Sequence, residues 1–229
     1  HASVLITIAM LAMELVRRDG TPLHQALGVA AIRIIQNPLL WGIALGITAN
    51  QVTLAACAIS ITLGVWLYAA APGPRAASNA WFLLVPLWMF LRMAFNAIDG
   101  MLAREFGQQS KLGAYLNELT DVIADAALAL PFAAVAPFDP VWVATYVVLA
   151  GLSEFAGAPG PTVGATRRYD GPMGKSDRAF ALGAIALWIA VAGLLPSWAA
   201  WLSPALCVAI VWTIVRRVRN GLREAQPTS

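Results

Sequence analysis

The stretch Asn96-Ala97-Ile98-Asp99-Gly100-Met101-Leu102-Ala103-Arg104, followed after eight residues by Gly113-Ala114-Tyr115-Leu116-Asn117-Glu118-Leu119-Thr120-Asp121, sets evenly spaced polar groups into an otherwise apolar chain. Residues three and four apart share a helix face, so Arg92, Asn96, Asp99 and Ala103 line one side of a first helix. Asn117, Asp121 and Asp125 line one side of the next at successive i, i+4 positions. The short connection predicts antiparallel neighbours whose polar stripes face each other. Inside a membrane each such group is costly, which makes the stripe a functional expectation rather than a packing accident.

The surrounding composition says that the setting is a membrane. Of 229 residues, 59% are hydrophobic and 12% charged, and mean hydropathy is +0.70. The charged share is about half the ~25% of an ordinary soluble domain. A helical span needs ~20 mostly apolar residues. Six segments meet that length, near 51–71, 81–102, 112–134, 141–157, 179–195 and 198–215. The expected fold is an all-α integral membrane protein, a bundle of six transmembrane helices. Residues 1–47 are read as an N-terminal juxtamembrane segment, with an interfacial helix over Pro22 to Leu45 and a second short apolar run from Ser3 to Val16. Residues 48–219 form the six-helix domain and 220–229 a C-terminal cytoplasmic tail. The early apolar run meets Glu14 and no small-x-small site, so no signal-peptidase cleavage is expected.

Charge asymmetry orients the bundle. Arg104 and Lys111 fall in one set of connections, with Arg167, Arg168, Lys175 and Arg178 and with Arg216, Arg217, Arg219 and Arg223, whereas the opposite connections hold only Arg75. Both termini are therefore expected in the cytoplasm, in a multi-pass protein of the cell inner membrane. The tail arginines read as lipid-facing anchors, and Arg92 and Glu154 as intramembrane charges that either pair across helices, the first choice, or border the acceptor pocket. Trp66, Trp81, Trp88, Trp188, Trp198 and Trp201 mostly fall near span ends, as interfacial anchors do. Cys57 and Cys207 have no metal-ligand spacing and read as buried thiols.

Carboxylate and amide oxygens on facing helices suit Mg²⁺, Mn²⁺ or Ca²⁺, and the scarcity of His and Cys argues against zinc. Gly100 and Gly113 remove side chains beside the polar faces. Either a ligand approaches the backbone there or the helices pack closely.

This constellation resembles the signature of the CDP-alcohol phosphotransferase family, D-x-x-D-G-x-x-A-R, eight residues, then G-x-x-x-D-x-x-x-D. Asp99, Gly100, Ala103, Arg104, Gly113 and Asp121 match six of its eight fixed positions with every spacing kept. Thr48-Ala-Asn50-Gln-Val-Thr53 resembles the family's usual start of the first span. Gly171-Pro-Met-Gly174-Lys175-Ser176-Asp-Arg178 resembles its basic loop. The resemblance implies a phosphatidyl group moved from CDP-diacylglycerol to a small hydrophilic alcohol, with CMP released. Glycerol 3-phosphate is the first acceptor to consider, and the reverse use of a soluble CDP-alcohol as donor stays open. It also implies a homodimer in the lipid bilayer, and no nucleic-acid partner.

Roles follow residue by residue from the same resemblance. Asp99 and Asp121, with Asn96 and Asn117, would form the metal site, and Asp121 would be the general base. Asn96, Asp99, Gly100, Ala103, Arg104, Gly113 and Asn117 would hold the cytidine diphosphate moiety. By their charge rather than by the resemblance, Arg167, Arg168, Lys175, Ser176 and Arg178 would either clamp an anionic acceptor or serve to orient the loop and attract anionic lipid headgroups. The departures are Asn96 and Asn117, which stand where the family has aspartates and leave two carboxylates of four. An amide supplies an oxygen without charge, so one well-held Mg²⁺ or Mn²⁺ is expected, with a second weak or absent. Glu118 or Asp125 could compensate, although Glu118 points about 100° away from Asn117 on a helix. Two other readings remain at this point: a member that binds CDP-lipid without turnover, and a divalent-cation or solute transporter.

Overall fold

The computed structural model describes residues 48–70, 80–105 and 108–225. These residues are helical with no strand. Six long helices carry them: α1 (Ala49–Ala70), α2 (Leu84–Glu105), α3 (Lys111–Ala129), α4 (Pro140–Gly157), α5 (Lys175–Ala192) and α6 (Leu202–Ala225). Each coincides with one of the six predicted segments. The interfacial helix expected before residue 48, the loop bearing Arg75 and the last four residues lie outside the described set.

Local chemistry explains the helix ends. At the start of α1, Thr48 N–H donates to Gln51 Oε1 at 2.9 Å and Gln51 N–H to Thr48 Oγ1 at 3.3 Å. This reciprocal capping satisfies two otherwise orphaned donors. Asp139 accepts from Val141 N–H at 2.7 Å while Pro140 opens α4, where its missing N–H costs nothing. Pro131 tightens the end of α3 into a 3-10 turn over Leu130–Ala134. α5 begins earlier than hydropathy suggested, at Lys175, because Asp177 Oδ2 accepts from Gly174 N–H at 2.9 Å and stabilises the first turn. It ends at Gly193, whose φ of +71° few other residues adopt.

By length and composition α1, α4 and the stretch Ser197–Ala225 are long and apolar enough to cross a membrane, and Ala80–Asn96 is a shorter apolar helix. Large apolar side chains are exposed and several charged ones are buried, unlike in a water-soluble bundle. Phe90, Phe180 and Val191 are among the most exposed apolar residues, while Arg92, Arg178 and Arg217 are among the buried ones. Apolar atoms outside and paired charges inside are what a lipid solvent imposes. The chain is a multi-pass membrane protein.

The described residues fall into two units, one made of residues up to Ala55 together with Ala94–Asn117, the other of Ala56–Met93 with Glu118 onward. In the first, Ala49 and Val52 of α1 pack against Phe95 and Ala103 of α2. In the second, a Cβ placed on Gly64 would fall 2.1 Å from the Ala127 carbonyl oxygen, so α1 and α3 approach backbone to backbone. Trp88 Nε1–H donates to the buried Ser60 Oγ at 2.8 Å, tying α2 to α1. Trp66 meets Trp81 edge to face at 5.0 Å, and Trp188 lies 5.3 Å from Trp198, consistent with belts at helix ends. Both cysteines are free and buried, as expected.

Candidate active site

In the first unit, Asp99 is buried, and its Oδ2 accepts from Thr53 Oγ1–H at 2.8 Å. The same hydroxyl lies 3.0 Å from the Ala49 carbonyl, which fixes it one turn into α1. Ala49 N–H donates to Gln108 Oε1 at 2.8 Å, anchoring the start of α1 to the connection between α2 and α3. A Cβ at Gly113 would fall 2.8 Å from Asn50 Oδ1 and 3.0 Å from Ser110 Oγ, so this glycine admits a polar side chain of α1 beside the start of α3. Asn96 is half-buried and Asn117 exposed. Gly100 and Arg104 lie on α2, the Arg104 side chain being outside the described set.

In the second unit, acidic and basic side chains interlock. Arg92 of α2 reaches two carboxylates of α3, donating to Asp121 Oδ1 at 3.0 Å and Asp125 Oδ1 at 2.6 Å. The other oxygen of Asp121 receives Lys175 Nζ from the first turn of α5. Arg178, buried, donates to Glu154 Oε1 at 2.8 Å and to Ser153 Oγ at 2.9 Å, with Asp125 Oδ2 at 3.6 Å. Arg217 lies 3.5 Å from Glu154 and also donates to the Ser153 carbonyl. Three carboxylates, Asp121, Asp125 and Glu154, thus face four cations, Arg92, Lys175, Arg178 and Arg217. The cluster carries one positive charge in excess, which favours an anion. Among the described residues the Tyr146 hydroxyl and Arg178 Nε are buried without a hydrogen-bond partner. Both residues line a narrow cleft with Asp125, Glu154, Val122 and Gly151.

Two expectations are corrected here. Arg92 and Glu154 do not pair with one another: Arg92 serves α3, and Glu154 serves Arg178 and Arg217. The period of α3 makes Asp121 and Asp125 stacked acceptors for one guanidinium. Arg217 is not a lipid-facing anchor either, being 2% exposed, because it falls on the face of α6 shared with Thr213 and Gly221. Arg216, Arg219 and Arg223 are exposed, as expected.

The basic loop before α5 is folded onto α6 by its backbone. Gly171 adopts φ +117°, and a Cβ there would lie 2.5 Å from Thr213 Cγ2. Met173 N–H donates to Thr213 Oγ1 at 3.0 Å. Of the predicted acceptor residues, Arg167 pairs with Glu118 through two hydrogen bonds, one of 2.6 Å. Arg168 holds Asp170 at 2.7 and 2.8 Å and also pairs with Glu224. The Arg168 hydrogen bond is the main reason that Asp170 is held below the usual carboxylate range. Ser176 is exposed. Lys175 and Arg178 join the interlocked cluster, whereas Arg167 and Arg168 make separate pairs.

Sequence reasoning missed Thr53, Arg217 and the bridging role of Arg92. Arg92 had a signal, four residues before Asn96 on the same face. Thr53 had only its place in the stretch that opens the first span, with nothing to tie its hydroxyl to Asp99, and Arg217 had none, since one arginine among four in a tail is unremarkable locally.

A buried carboxylate motif at this spacing, on a bundle of apolar helices, defines a membrane-embedded transferase. The chain belongs to the CDP-alcohol phosphatidyltransferase family, which it matches over residues 46–215, and it is an enzyme of that class. It is 40% identical over 192 residues to the inner membrane protein YnbA of Escherichia coli strain K12, a match covering 82% of this chain and 91% of that protein. Its fold is similar to that of the phosphatidylinositol phosphate synthase PgsA1 of Mycobacterium tuberculosis. The structure of PgsA1 with manganese and citrate matches at a TM-score of 0.66 and 20% identity, over 83% of this chain and 91% of that one. The structure with CDP-DAG bound matches at the same TM-score and identity, over 83% and 96%.

Proposed function

We propose that the chain transfers a phosphatidyl group from CDP-diacylglycerol to a small, phosphorylated alcohol, glycerol 3-phosphate being the first candidate, and releases CMP. The donor is supported by the family and by the CDP-DAG that a protein of the same fold holds. The observation that carries the acceptor is the charge excess around Asp121, where four cations face three carboxylates beside Lys175 and Arg178 of the basic loop. An acceptor that brings its own phosphate matches that excess, and a neutral polyol does not.

Whether these residues fit a divalent ion differs between the two carboxylates. Asp99 is a buried carboxylate with a hydroxyl at 2.8 Å, and Asn96 adds an amide oxygen one helical turn away, a hard-oxygen donor set that suits one Mg²⁺ or Mn²⁺. Around Asp121 the fit is poor. Both of its oxygens already face cations, and among the described residues no three His, Cys, Asp or Glu side chains converge as ligands would. A bound ion supplies charge neutralisation at the diphosphate.

The chain's own residues supply the rest. Asp121 takes the proton of the attacking hydroxyl, the role for which a carboxylate within hydrogen-bond reach is suited. Gly100, Ala103, Arg104, Gly113 and Asn117 shape the cytidine diphosphate site, with the Arg104 guanidinium on phosphate. Lys175, Arg178 and the exposed Ser176 receive the acceptor, with Arg167 and Arg168 as further cations of the same basic region. Six membrane crossings with both termini in the cytoplasm would place these groups at the inner leaflet. The inner-membrane relative supports that location. A homodimer follows from family likeness alone.

The test is CMP release from CDP-diacylglycerol by the purified protein against a panel of alcohols. Release with glycerol 3-phosphate that exceeds release with glycerol supports the reading. Release with soluble CDP-alcohols and diacylglycerol instead would reverse donor and acceptor. CDP-lipid binding with no CMP under any condition would overturn the transfer proposed here.

A further inference from the structure

We propose that in this chain Arg92 and Lys175 supply at Asp121 the positive charge that a fully acidic motif would draw from a second divalent cation. The proposal rests on the reading that one ion is held at Asp99. Within the second unit every oxygen of the α3 carboxylates faces a cation. Asp121 Oδ1 faces Arg92 at 3.0 Å and its Oδ2 faces Lys175, while Asp125 Oδ1 faces Arg92 at 2.6 Å and its Oδ2 faces Arg178 at 3.6 Å. Asn117, one turn before Asp121, and Asn96, one turn after Arg92, are the two positions where the motif has lost its charge. A divalent ion arriving at Asp121 would come close to two side-chain cations in a poorly screened environment, and nothing at position 117 would offset that repulsion.

The two cations differ in how they are held. The Arg92 side chain is 8% exposed and bridges two carboxylates, so it is fixed. The Lys175 side chain is 36% exposed and makes one pair, so it is the replaceable half. Arg92 is thereby a positioning residue for Asp121. It holds the Asp121 carboxylate in one orientation and, with Lys175, neutralises it without a second ion.

The experiment is Mn²⁺ binding followed by electron paramagnetic resonance on the full chain in nanodiscs. Wild type is expected to bind one ion. Two comparably tight ions in wild type, or none, would overturn the one-ion reading itself. With one ion in wild type, Lys175→Met is expected to gain a second ion, bound at least ~10-fold more tightly than any second ion in wild type, and Lys175→Arg to return to one. A Lys175→Met variant with unchanged stoichiometry and affinity overturns the proposal and leaves the one-ion reading standing. An independent measurement needs no folded variant at position 175. The chain has two lysines, Lys111 and Lys175, so ¹³C-dimethylation gives two resolvable lysine signals. The Lys175 signal is expected to shift in Asp121→Asn and to stay in place when wild type is saturated with Mg²⁺. Movement on Mg²⁺ addition to the position seen in Asp121→Asn overturns the proposal.

Discussion

Asp99 and Asp121 occupy equivalent-looking places in the sequence motif and are held in different ways. In the unit built on the start of α1, Asp99 is buried and accepts a hydrogen bond from the Thr53 hydroxyl. In the other unit, Asp121 is gripped by two cations, one of which also bridges Asp125. A carboxylate inside a salt-bridge cluster has its orientation set before any ligand arrives. The motif that looks uniform in sequence is therefore held through a hydroxyl in one half and through salt bridges in the other.

The comparison breaks most visibly at Asp121. Asp121→Asn removes the proposed base, and CMP release should fall by roughly 10²–10⁴-fold while thermal unfolding in detergent still shows a cooperative transition. Activity within a few-fold of wild type would remove Asp121 from the chemistry. Next in size, Arg92→Met leaves two carboxylates of α3 without their shared guanidinium in a buried place, and stability should drop by about 3–5 kcal/mol. Pairing that change with Asp125→Asn should recover part of the loss, since one orphaned charge is gone. If the double variant is no better than the single, Arg92 acts through packing.

A smaller effect is expected on the other side of the comparison. Thr53→Ala deletes a hydrogen bond to a buried carboxylate, worth about 1.5–3 kcal/mol. Its signature is a weaker first Mn²⁺ site, since Thr53 orients Asp99; a metal affinity equal to wild type would show that Asp99 is positioned by other contacts. The smallest effect concerns Asp170 in the basic loop. Its folded value lies below its unfolded one because of Arg168, so the pair contributes stability above about pH 4 that is lost as pH falls through the lowered folded value. In Arg168→Met the acid limb of the melting-temperature profile should flatten, and an unchanged profile would show that the pair contributes nothing measurable.

Much of this arrangement was legible residue by residue. Asn96, Asp99, Asn117, Asp121 and Asp125 declare their faces by spacing alone, because helical periodicity requires no knowledge of neighbours. Capping was equally readable, in Thr48 with Gln51 and in Asp139 before Pro140. What could not be read was partner choice. Arg92 has Asp99, Asp121, Asp125 and Glu154 as conceivable acceptors at the level of composition, and only the packing of α2 against α3 selects Asp121 and Asp125. Arg217 looks like its neighbours Arg216 and Arg219, and one residue of rotation on α6 separates an arginine in lipid headgroups from one buried beside Glu154.

The chain by itself determined that this is a helical membrane protein with a transferase motif of reduced charge, since hydropathy, length and i, i+4 spacing are properties of a single helix in lipid. Tertiary structure decided which cation neutralises which carboxylate. Ion pairing depends on distances of a few ångströms between helices that are far apart in sequence, and no local pattern encodes those distances.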